Sequence, residues 1–163
     1  MKAQAVKSLI KPMFRMPAKE DYLKAALRVA RWLRANAERT EAGIHWFEDP
    51  MHPEGETVMG EFSVYSGMPG PILFLLELSK ITGDISWREE ACLAADYLLA
   101  NFDEGRKMQT DMGVLGSEIG PISGTAGLSF VFTELGKATG EQKYLDFAAA
   151  ETEKIAALAK RVG

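Results

Sequence analysis

Ser66-Gly67-Met68-Pro69-Gly70 returns as Ser123-Gly124-Thr125-Ala126-Gly127, 57 residues further along the chain. The same register carries Glu77-Leu78 onto Glu134-Leu135, Lys80 onto Lys137, and Thr82-Gly83-Asp84 onto Thr139-Gly140-Glu141. It also carries Trp87 onto Tyr144 and Ala91 onto Ala148. So many ungapped matches in one register mark a structural repeat. A unit of this length buries its apolar face by stacking on a neighbour.

Each copy reads as two helices. Ile72 to Lys80 and Leu128 to Lys137 are apolar nearly all round, which predicts inner helices buried on most sides. Gly83 and Gly140 fall where a helix C-terminal glycine belongs. Ser86-Trp87-Arg88-Glu89 has the form of a capping box, with Ser86 as the expected N-cap. Trp87, Ala91, Ala94, Leu98 and Phe102 then form one apolar stripe, and Tyr144, Ala148, Thr152, Ile155 and Ala159 form its counterpart. These second helices are amphipathic and belong on the outside. An earlier outer helix shows in the stripe Tyr22, Ala26, Ala30, Leu33, Ala37. Its Trp32-Leu33-Arg34-Ala35-Asn36 resembles Tyr97-Leu98-Leu99-Ala100-Asn101. The expected fold is all-α. It is a single segment, residues 18–163, running outer, inner, outer, inner, outer, with units at about 66–102 and 123–160.

Composition narrows the function. A chain of 163 residues, 47% hydrophobic and 26% charged, suits one globular domain. A net charge of −4 argues against a nucleic-acid partner, which needs clustered cations to displace counterions. Cys92 is the one cysteine, so no internal disulfide and no thiolate-rich zinc site can form, and a reducing cytoplasm is the expected setting. The longest apolar run, Pro71 to Leu76, is too short to span a bilayer. Residues 1–17 form an N-terminal arm with Lys2, Lys7, Lys11 and Arg15 and no signal-peptide pattern. Its Val6, Leu9, Ile10, Met13 and Phe14 follow helical spacing, interrupted at Pro12. An arm packed on the domain edge outweighs a basic membrane or partner contact.

The inner-to-outer corners are tight, whereas Glu38 to Ser66 and Asp103 to Ser123 are long connections. Long loops on a rigid scaffold are where function concentrates. Ile44-His45-Trp46-Phe47 reads as a short strand, with Thr57-Val58-Met59 as its expected hairpin partner. His45, Asp49 and His52 carry metal-ligating groups, though their spacing signals a metal only weakly. Glu61, Asp111 and Glu118 precede the inner helices and could act as paired carboxylates on a glycoside. Solvated loop charge weighs more for them, and a hydrogen-bonded structural role for the repeated Glu77 and Glu134. Ser66, Gly67, Ser123 and Gly124 stand at helix starts, where free N–H groups can hold an anion. Close approach of crowded inner helices is the stronger reason for the glycines, since no Gly-Lys-Ser/Thr follows. Trp46, Phe47, Met51, Met59 and Phe62 could line a peptide-binding lip or cover the core. Cys92 reads as a small core residue.

Inner and outer helices with Ser-Gly-x-x-Gly at the inner start resemble the lanthionine synthetase C-like family, a helical α/α toroid. Ser63-Val64-Tyr65-Ser66-Gly67-Met68-Pro69-Gly70 with Phe74-Leu75-Leu76-Glu77-Leu78 is similar to its early repeat, and Gly43-Ile44-His45-Trp46 to the segment after its first outer helix. The resemblance covers the chain from about residue 18 and only the first part of a family member. It implies a partial toroid and a peptide substrate. The family's cyclases add a cysteine thiol to a dehydrated Ser or Thr, with zinc held by two cysteines and one histidine in later repeats. Those motifs are absent here, and Ser63 and Gly120 stand where the family places an acid. The expected role is therefore a scaffold or peptide-binding segment without a catalytic residue or cofactor of its own. The Thr-Gly-acid corner also resembles carbohydrate-active six-hairpin toroids, and a pure interaction module is a further alternative. Five helices leave two open apolar edges, so the chain is expected to join the remaining repeats, pair with a second copy, or cover one edge with its arm.

Overall fold

The computed structural model describes residues 18–47, 62–111, 120–122 and 124–162. In chain order come α1 (Lys19–Ala35), β1 (Glu38–Thr40), β2 (Gly43–His45), α2 (Pro69–Thr82), α3 (Ile85–Asp111), α4 (Thr125–Thr139) and α5 (Gln142–Val162). The inner helices α2 and α4 pack side by side, each hairpinned to an outer helix, α3 and α5. This is the all-α hairpin repeat that the 57-residue register implies. Among the described residues, no helix is long and apolar enough to cross a membrane.

The two corners are built alike, from the same side chains. Gly83 and Gly140 take φ of 72° and 76°, a left-handed turn that a side chain would strain. Their N–H groups close on Ser79 and Gly136 carbonyls. Thr82 and Thr139 donate to the carbonyls of Leu78 and Leu135, and accept from the N–H of Asp84 and Glu141. The expected cap at Ser86 is corrected here. Helix α3 starts at Ile85, and the Asp84 carboxylate accepts the Ser86 N–H at 3.0 Å. The left-handed glycine brings the acid, not the serine, to the last position before the helix. The Ser86 hydroxyl instead accepts from Arg34 at 3.0 Å.

Other expectations shift for physical reasons. Helix α3 runs past Phe102 to Asp111, so much of the presumed loop is helical. Its added stretch is rich in Glu, Arg, Lys, Met and Gln, all good helix formers. Gly105 within it lets the Phe62 ring lie against the backbone, where a Cβ would come within 2.0 Å. The β2 strand pairs with Glu38–Thr40, in antiparallel register Arg39 to Ile44, and Thr57–Met59, its expected partner, lies outside the described residues. A local two-residue turn closes sooner than a longer loop. Tyr22 is 56% exposed, so the first stripe is buried only from Ala30 onward, through Leu33. The inner helices leave Ile81 (68%) and Phe130 (57%) open. Glu77 and Glu134 form exposed ion pairs with Lys80 and Lys137, at 2.6 and 2.8 Å.

The core lies between the two layers. Ile72, Leu75, Val131, Phe132, Leu135 and Tyr144 are fully buried, each worth roughly 1.5–3 kcal/mol of burial. Helix α1 is held onto α3 by Arg34, whose guanidinium lies 3.8 Å over the Trp87 ring and bonds Glu90 at 2.7 Å. Helix α5 is held onto α3 by the Tyr144 hydroxyl, which donates to Asp96 at 2.9 Å.

Candidate functional site

The residues expected at one mouth fall in two places. His45 and Trp46 lie with the β hairpin against α1 and α3. The Trp46 indole N–H donates to the Leu33 carbonyl at 2.8 Å, finishing α1. The His45 ring stacks on Tyr97 at 4.5 Å and meets the edge of Phe47 at 5.0 Å. Burial holds its imidazole below the ordinary pKa of 6.5, with Glu38 opposing weakly. Its Nδ1 is buried and has no hydrogen-bond partner among the described residues. A neutral, stacked histidine of this kind fixes the hairpin to α3.

Ser66, Gly67 and Gly124 lie at the second place, the seam where α2 and α4 begin. The two entry loops are bonded to each other: the Val64 N–H donates to the Ile122 carbonyl at 2.8 Å, and the Ser63 hydroxyl to the same oxygen at 3.3 Å. Ser63 Oγ also accepts the N–H groups of Tyr65 and Ser66. Gly67 and Gly124 donate to the carbonyls of Ser63 and Gly120. These amides are therefore occupied within the turns, which favours the steric reading of the glycines over anion binding. The contact itself falls on the second glycine of each motif. A Cβ at Gly70 would lie 2.8 Å from the Val64 carbonyl oxygen, and one at Gly127 2.4 Å from that of Pro121.

This seam carries two residues that motif reading passed over. Tyr65 is 85% exposed and Ile122 57% exposed. They stand 57 residues apart, each immediately before the serine of its motif, so the repeat register relates them. Two large apolar side chains at one repeat position, held on cross-bonded loops, make a raised apolar lip. Phe130 on α4 is also exposed, at 57%.

Of the remaining candidates, Asp111 is the last residue of α3, and Asp49, His52, Glu61, Glu118 and Ser123 lie outside the described residues. Cys92 is half-buried on α3, and desolvation pushes its thiol up. Its backbone carbonyl faces the Tyr144 hydroxyl at 3.4 Å. The environment keeps the thiol protonated, away from thiolate chemistry. Among the described residues no three His, Cys, Asp or Glu side chains gather as a metal site.

A family model described as lanthionine synthetase C-like protein matches residues 58–157, which take in the seam, the first hairpin and most of the second. Neither a curated protein nor a solved structure matches the chain.

Proposed function

Because the chain belongs to the lanthionine synthetase C-like family, we propose that it is a peptide-binding segment of such a toroid, and not a competent cyclase alone. The observation that supports this reading is the repeat-related pair Tyr65 and Ile122, exposed on loops joined by the Val64–Ile122 bond. Exposed aromatic and aliphatic side chains on a rigid base lose little entropy on binding and make effective anchors. A peptide laid along the seam would bury both. Residual polar capacity comes from the exposed Ser66.

The family's zinc does not fit this chain's residues. Its ligand set, as the resemblance gives it, needs two cysteines, and Cys92 is the one present. That thiol is pushed up by burial and His45 is stacked against Tyr97, so neither is poised as a ligand. No thiol-addition step is assigned here, and a reducing compartment suits the single thiol.

The test is fluorescence anisotropy with dye-labelled linear peptides containing Ser, Thr and Cys. Saturable binding is expected, weakened tenfold or more when Tyr65→Ala and Ile122→Ser are combined, about 1.4 kcal/mol. A parallel assay of free thiol on a dehydrated peptide with added zinc should show no cyclisation. Absence of binding to every peptide, or binding that ignores the double variant, would sink the reading.

A further inference from the structure

The two hairpins differ in what covers their upstream side. Helix α4 has both an inner and an outer neighbour there. Helix α2 packs beside it, and Arg88, near the start of α3, donates to the Ala138 carbonyl at 3.1 Å. Val131 and Leu135 are fully buried and Ala138 partly so. The repeat register maps these three onto Phe74, Leu78 and Ile81 of α2. There the start of α1 takes the part of α3, but among the described residues no inner helix takes the part of α2. An apolar groove of about 280 Å³ results, lined by Tyr22, Leu23, Ala26, Phe74, Leu78 and Ile81.

We propose that residues 1–17 of this chain occupy that groove, in the place an inner helix holds in the repeat. Chain order supports it. Helices α2 and α4 each pass directly into an outer helix through a short corner, and residues 1–17 pass directly into α1. The arm emerges at the groove itself, because Lys19 is on its rim. Length supports it too. Helix α2 has 14 residues and its corner is Gly83-Asp84, so seventeen residues suffice for both. The arm carries an apolar stripe, Val6, Leu9, Ile10, Met13 and Phe14, to set against the groove. It also carries four cations and no acid, a charge opposite to that of Glu20 and Asp21 in the first turn of α1. Pro12 bends such a helix instead of extending it straight. A groove of this size takes side chains from one face, so a bend is compatible with it.

Trypsin digestion of the full chain tests this, followed by mass spectrometry at cleavage after Lys7 and Arg15. Cleavage should be slow in the parent and at least tenfold faster in Ile81→Asp, at all protein concentrations. Equal rates in the two proteins would overturn the proposal. So would protection that grows with concentration, which would assign the groove to a second copy. A second measurement covers a misfolded variant. In a Cys92→Ser background, Ile10→Cys with Ile81→Cys should oxidise to a disulfide within one chain, while Ile10→Cys with Phe130→Cys should not. Bonds formed equally by both pairs, or only between chains, would contradict it.

Discussion

Trp87 and Tyr144 hold the same position in the two repeats, each beneath a cation, yet the residues packed around them differ. Trp87 lies under the Arg34 guanidinium, in a polar seam where Arg34 and Arg39 converge on the buried Glu90. Tyr144 is buried against α3, its hydroxyl on Asp96. One step further, Glu90 corresponds to Phe147, which packs against Phe102 at 4.8 Å and Phe132 at 4.5 Å. Both seams hold an ion pair, since Lys143 lies 4.7 Å over the Tyr144 ring and bonds Asp96 at 2.6 Å, but the second adds a cluster of phenylalanines where the first has the buried Glu90. A repeat thus dictates where neighbouring units touch, while the preceding helix decides which chemistry fills the contact. Arg34 of α1 and Arg39 of β1 meet Glu90 in the first seam, whereas Phe102 of α3 and Phe132 of α4 meet Phe147 in the second.

The sharpest way to break this comparison is at the aromatic seam. Tyr144→Ala should lower unfolding free energy by about 3–5 kcal/mol, because a large buried ring leaves a cavity behind. Urea denaturation measures it, and a loss below about 1 kcal/mol would mean that α5 does not depend on this contact. The polar seam should respond less. Arg34→Met keeps much of the stem's packing but removes the bonds to Glu90 and Ser86, a cost of about 1.5–3 kcal/mol. Arg39, 3.4 Å from Glu90, should recover part of it, so combining Arg34→Met with Arg39→Met should cost more than their sum. Strict additivity would show that the seam is not one network.

The smallest effect concerns pH. His45 is held below its ordinary pKa of 6.5 in the folded chain, so the unfolded chain binds its proton more readily. The resulting stability is fully present above pH 6.5 and falls as the pH drops through the lower folded value. Chemical denaturation between pH 7 and 5 should show this decline, and His45→Phe, which keeps a ring against Tyr97, should flatten it. An unchanged decline in that variant would place the responsible proton elsewhere.

Much of the architecture was legible in the repeat. The offset located both hairpins, both left-handed glycines and the buried stripe from Trp87 to Phe102, because helical period and corner chemistry are local properties. Tertiary contact decided the rest. The cap moved from Ser86 to Asp84 as the helix began at Ile85, and the serine hydroxyl is taken up by Arg34, 52 residues away in sequence. Helix α3 continues through Gly105, where the Phe62 ring takes the space a side chain would fill. The pairing of Gly43–His45 with Glu38–Thr40 was not read from the sequence, because a three-residue polar strand carries no alternation to mark it. At the candidate site, motif reading selected Ser66, Gly67, Ser123 and Gly124 for their chemistry. The exposed pair Tyr65 and Ile122 carried the same repeat signal, but one is aromatic and one aliphatic, so identity matching passed over them. Only exposure distinguishes them from core residues.

The most direct test of the central claim, that the two repeats meet in a single rigid lip, is amide hydrogen exchange at Val64. Its N–H crosses the seam to the Ile122 carbonyl at 2.8 Å. The account predicts protection approaching that of the α2 interior, about the amides of Leu75 and Leu76. Exchange as fast as an open loop would contradict it, and would leave Tyr65 and Ile122 as two unrelated surface residues.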